Sequence, residues 1–214
     1  MALLPWSLPV DYSAPRYTFR MTSAARSRRD TIFLSGAVLG PGFFFVSWVI
    51  GGLLYPGSTL ERTHISTLAA IGAPSRLIMV VGQVAMAAGL ALAALPARSV
   101  LGLGASAGMG LAAVSLAVII VTPDGSVPEL GLLHGGFAIL LYAALVAIGG
   151  LAGRHLRNQG RQVAGIVALG AATATGIFLW LSLGDTASGL FQRLGITATS
   201  AWLIAVVVRS GKAA

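Results

Sequence analysis

The sequence predicts an all-α polytopic membrane protein, a six-transmembrane-helix bundle with a short interfacial helix on its outer side. Three observations predict it. First, 56% of the 214 residues are apolar and only 9% are charged, with a mean hydropathy of +0.87. A soluble domain carries about 25% charged residues, so the chain lacks the polar side chains to cover a water-facing surface. Second, six apolar runs approach the ~20 residues that cross a hydrocarbon core. Third, the basic residues are strongly one-sided.

The runs are Thr31–Leu54, Leu77–Leu95, Val100–Val121, Val127–Ala152, Gln162–Leu183 and Thr186–Val208. Residues 1–30 precede them as a basic arm, and 210–214 form a tail. The links at 96–99 and 153–161 are short, so sequence neighbours should pack antiparallel in one domain, 31–209. Arg28 and Arg29 sit where a twin-arginine export signal would, but Thr31 and Ile32 do not fit that motif. The pair is read as the flank of the first span. Eleven of the 14 Lys and Arg residues fall on the side of the termini, and three (Arg62, Arg76 and Arg193) on the other. This asymmetry places both termini in the cytoplasm. It also explains the net charge of +8 without a nucleic-acid partner. The implied location is the cell membrane, with lipids as partners; the oligomeric state is left open. No cysteine is present, which excludes disulfides and thiolate chemistry.

Small residues should hold the spans together, because apolar burial does not distinguish a neighbouring helix from lipid. Gly36/Gly40, Gly104/Gly108, Gly131/Gly135 and Gly149/Gly153 each give a GxxxG pair, expected to pack within the chain. Pro41 should kink the first span.

The polar residues collect on the outer side. In the first outer segment Ser58-x-x-Glu61 is a capping box, and Gly72 and Pro74 are stop signals. They predict a helix over Ser58–Ala70, a lid or an interfacial helix. Ser126-x-x-Glu129 is a second box, and Asp185 is a suitable N-cap for the last helix. His134 lies two turns inside the fourth span, where an imidazole needs a partner. Arg193 lies about one turn inside the sixth, and is expected to pair with Asp124 or Asp185.

Tyr55-Pro56-Gly57-Ser58, His64-Ile65-Ser66-Thr67-Leu68, Gly72-Ala73-Pro74-Ser75-Arg76, Thr122-Pro123-Asp124, His134-Gly135-Gly136 and Gly189-Leu190-Phe191-Gln192-Arg193 occur in this order. In that order the chain resembles the DUF998 family of bacterial and archaeal membrane proteins over about residues 31–208. The resemblance implies a six-helix bundle and assigns no activity.

Two functions are open at this stage. The first is binding or moving a lipid or other amphiphile in an outward-facing polar pocket, with Ser66, Gln192 and Arg193 as ligand-binding candidates. The second is an intramembrane enzyme acting on a lipid or isoprenoid. Its catalytic candidates are His64, Asp124, His134 and Asp185. No cofactor is expected as such. His64, Asp124 and His134 would be the ligands of a catalytic zinc, which takes three protein ligands and an open position. A haem between His64 and His134 is disfavoured, because His64 lies at or above the interface.

Overall fold

The computed structural model describes residues 28–125, 127–184 and 186–211. Among them the chain forms seven helices and no strand: α1 (Arg28–Leu54), α2 (Ile65–Leu68), α3 (Arg76–Leu101), α4 (Leu103–Val121), α5 (Pro128–Asn158), α6 (Gln162–Leu181) and α7 (Ser188–Gly211). In α1 the part Ser35–Leu54 is long and apolar enough to cross a membrane, as are α3, α4, α5 and α6. α7 has 24 residues and carries Gln192 and Arg193 in its first two turns. The protein is an all-helical, multi-pass membrane protein. The expectations for residues 1–27, Ser126 and Asp185 lie outside the described residues.

Consecutive long helices pack side by side, and α7 returns to α1 to close the ring. The closing seam between α1 and α7 is thinner than the others. The core runs through the middle, with Met79, Met86 and Leu90 of α3, Met109 of α4, Leu145 and Ile148 of α5 and Leu203 of α7 fully buried.

Most of the predicted small-residue contacts form within the chain. A Cβ on Gly36 would lie 2.8 Å from the Gly89 carbonyl oxygen, and one on Gly40 2.8 Å from that of Ala85. α1 and α3 therefore touch backbone to backbone. Gly153 and Gly165 bring α5 against α6 in the same way, each Cβ position within 2.9 Å of the other's carbonyl. Gly104 and Gly108 receive Leu151 and Ile148. The Gly131/Gly135 pair does not follow the expectation: a Cβ on either would meet nothing within 4 Å. Both glycines are exposed.

Three boundaries differ from the sequence reading. α1 begins at Arg28, inside the expected arm. The link expected at 96–99 is helical, because α3 continues through Pro96 to Leu101. Proline is tolerated in a membrane helix when neighbours satisfy the freed backbone. The chain turns instead at Gly102, whose φ of 88° suits glycine and whose Cβ position would collide with the His155 ring. The third difference is the lid helix. Residues 59–63 make one turn, closed by Thr63 N–H to the Thr59 carbonyl at 3.1 Å. His64 is extended (φ −66°, ψ 153°), and only the four residues of α2 are helical after it. The expected Ser58/Glu61 box is replaced one residue on. The Thr59 hydroxyl accepts from Arg62 N–H at 3.2 Å, and the Thr63 hydroxyl accepts from Thr59 N–H at 3.1 Å.

The tight α1–α3 contact gives a direct test. Gly89→Leu should lower the thermal stability in detergent by roughly 1–3 kcal/mol or more, the scale of an overpacked core, because its Cβ position is 2.9 Å from the Gly40 Cα. Gly110→Leu, whose Cβ points into open space, should leave the melting temperature nearly unchanged. Equal effects would refute the backbone contact.

Candidate functional site at the loop end of the bundle

The segments 55–75, 122–125 and 182–184 lie at one end of the bundle, the loop end. A single helical turn such as 59–63 leaves its last carbonyls without partners. Near hydrocarbon those oxygens need donors, since each unsatisfied group costs several kcal/mol. α7 supplies them. Arg193 Nη1 donates to the carbonyls of Leu60 at 3.1 Å, Thr63 at 2.7 Å and its own-helix Gly189 at 2.9 Å. The backbone N–H groups of Gly189 and Leu190 reach the Glu61 carbonyl at 2.8 and 3.3 Å. The cation therefore sits at the negative end of a turn, where a helix favours positive charge.

This explains the glycine before it. A Cβ on Gly189 would lie 2.5 Å from the Thr63 oxygen and 2.9 Å from Arg193 Nη1. Only a bare backbone lets the loop come close enough to be bonded.

Arg193 is 3% exposed. Its guanidinium lies over the Trp48 ring of α1, 5.2 Å from the centroid, a cation–π contact that stabilises a desolvated cation. Its Nε is buried without a hydrogen-bond partner. The expected pairing with Asp124 is not seen. Asp124 is exposed, and its carboxylate accepts from Gly125 N–H at 3.0 Å. Among the described residues the charge of Arg193 is met by carbonyl dipoles and an aromatic face, with no carboxylate bonded to it.

Gln192 completes the joint. Its Oε1 accepts from Ile65 N–H at 2.8 Å, which caps α2, and its Nε2 donates to Tyr142 Oη in α5 at 2.5 Å. One amide thus ties α2, α5 and α7. At the other end of α2, the fully buried Ser75 donates its hydroxyl to the Leu68 carbonyl at 2.7 Å.

The two histidines fall in separate groups. His64 Nε2 shares a hydrogen bond with Ser188 Oγ at 2.9 Å, so Ser188 and not Ser66 is the hydroxyl it meets. Ser66 is half-buried on α2. His134 Nδ1 lies 2.6 Å from the Thr122 carbonyl and so carries a proton there. Thr122 and Asp124 belong to the second loop, which is joined to the first by Ile71 N–H to the Asp124 carbonyl at 3.1 Å. Among the described residues no three His, Asp or Glu side chains come together as metal ligands would.

Sequence reasoning missed Trp48, Tyr142 and Ser188. Hydroxyls and aromatics inside apolar runs were the available signal. The same signal marks Thr175 and Thr199, both buried, whose hydroxyls bond at 2.7 Å between α6 and α7.

A second feature adjoins Arg193. The thin seam between α1 and α7 holds an apolar groove of about 220 Å³. Phe44, Phe45 and Trp48 line one wall, and Ile196, Ser200 and Ile204 the other. Trp48 is both the end of this groove and the platform under Arg193.

A family model described as "Protein of unknown function (DUF998)" matches residues 38–209. No curated protein and no solved structure matches the chain.

The bonding of Arg193 sets an expectation for stability. Arg193→Leu should cost roughly 3–5 kcal/mol, because it strands two loop carbonyls and removes a charged donor. Arg193→Lys should recover part of the loss. Asp124→Asn combined with Arg193→Leu should be additive within about 0.5 kcal/mol. A double-mutant cycle on thermal stability measures this, and a strong coupling between positions 124 and 193 would contradict the carbonyl-held cation.

Proposed function

We propose that this chain, which belongs to the DUF998 family, binds an anionic amphiphile at the loop end, with Arg193 as the cation that attracts its head group. One observation carries the reading. Arg193 is buried, bears no bonded carboxylate among the described residues, and keeps an unpartnered Nε. A buried cation of this kind is costly and marks a functional position in a membrane protein. A phosphate or carboxylate head group would supply the missing negative charge and accept from Nε. Gln192 acts by position, since its amide is spent on Ile65 and Tyr142. Ser66 and His64, on the segment that Gln192 and Ser188 hold in place, flank the approach.

The topology that accompanies this reading has six spans, with α7 as the sixth. Both termini face the cytoplasm and the loop end faces outward in the cell membrane. The distribution of Lys and Arg supports it. A reporter active only outside the cytoplasm, fused after Ala214, should be silent. Activity there would show that α7 does not cross.

Native mass spectrometry after gentle detergent extraction tests the ligand. Anionic phospholipid should stay bound in preference to zwitterionic lipid. Arg193→Lys, which keeps a charge but loses the planar fork and Nε, should weaken retention about tenfold, a change of ~1.4 kcal/mol. Equal retention of both lipid classes by wild type would reject the reading.

A further inference from the structure

The groove in the α1–α7 seam lies where a bilayer chain would run. Its α1 wall spans Pro41–Trp48 and its α7 wall Ile196–Ile204. At 1.5 Å per residue these walls are about 10–12 Å long, several methylenes of an extended chain. The surface is mostly apolar, and of its two hydroxyl-bearing residues, Thr197 and Ser200, the second is bonded to its own helix. Ser200 donates to the Ile196 carbonyl at 2.8 Å, and the neighbouring Ser47 donates to that of Phe43 at 2.8 Å. Gly42 deepens it, since a Cβ there would meet nothing within 4 Å. Phe45 stands edge-on to Trp48, with centroids 4.8 Å apart. An apolar groove open to the bilayer gives a hydrocarbon chain dispersion contacts on two walls, more than one helix face offers.

The position of the charge selects the occupant. Ile196 lies three residues below Arg193 on α7, and Trp48 touches both the groove and the guanidinium. A molecule with its tail in the seam would place its head at the cation whose Nε is unpartnered.

We propose that the α1–α7 seam is the slot for one acyl chain of an anionic phospholipid, entered sideways from the bilayer. The slot rests on the head-group reading above for the identity of the lipid, and on the groove itself for the chain.

The full chain is reconstituted in vesicles of phosphatidylcholine and phosphatidylglycerol. A trace of phosphatidylglycerol carrying a photoreactive acyl chain is added, and adducts are mapped by mass spectrometry. Adducts are expected on peptides holding Phe45, Thr197 and Ala201. Gly42→Leu, whose Cβ has open space around it and whose side chain occupies the groove, should reduce them about tenfold, the effect of ~1.4 kcal/mol. Ala201→Phe should do the same from the opposite wall, and serves if the first variant does not fold. Adducts spread evenly over the lipid-facing helices, or unchanged in both variants, overturn the slot. A phosphatidylcholine probe that labels the same peptides equally well, with the same sensitivity to Gly42→Leu, would support the slot and remove the anionic head group.

Discussion

The loop end depends on a constraint of solvent. Backbone carbonyls that approach hydrocarbon must be given donors, because water is not there to supply them. The turn at 59–63 presents its carbonyls to α7, and Arg193 and the first amides of α7 take them up. Much of the surrounding sequence serves this joint. Gly189 gives the clearance, Trp48 stabilises the cation, Gln192 caps the next helix, and Ser75 terminates it. The second loop is then joined to the first through Ile71 and the Asp124 carbonyl, and to α5 through Thr122 and His134. The buried polar residues Ser75, Ser188, Gln192 and Arg193 form a bonded layer at this end.

That layer changes how the ionisable groups should be viewed. His64 and His134 look alike in sequence, each near an outer boundary. Their partners differ: a hydroxyl on α7 for one, a carbonyl at the end of α4 for the other. Arg193 is the group whose bonding is left incomplete. The family resemblance is carried by the same positions.

Five of the six expected spans were legible because hydrocarbon thickness imposes a run length that local composition reports. Close packing at Gly36, Gly40 and Gly153 was legible for a similar reason, as small residues at helical spacing have few other uses. The details of the loops were not. Pro96 reads as a stop in water, yet α3 passes through it. The Ser58–Ala70 helix failed because the caps that shape this segment come from Gln192 and Arg193, more than a hundred residues away. No local window contains them. The Asp124 pairing expected of Arg193 failed on chemistry: a turn end offers a cation, in its carbonyls, the same negative potential that a carboxylate would.

The residues that complete the joint stand at the end of the chain, and this has a consequence for biogenesis. Thr63 and Arg193 are 130 residues apart. At about 5–20 residues per second, translation leaves some 6–26 s between the emergence of the acceptor and of its donor. By the end of that interval five hydrophobic segments have left the ribosome, and the first loop still has no permanent partner. Its carbonyls must be held by water or by the insertion machinery. The last helix therefore acts as a bolt that arrives late, and truncation just before it would leave a bundle that is mostly inserted but open at one end.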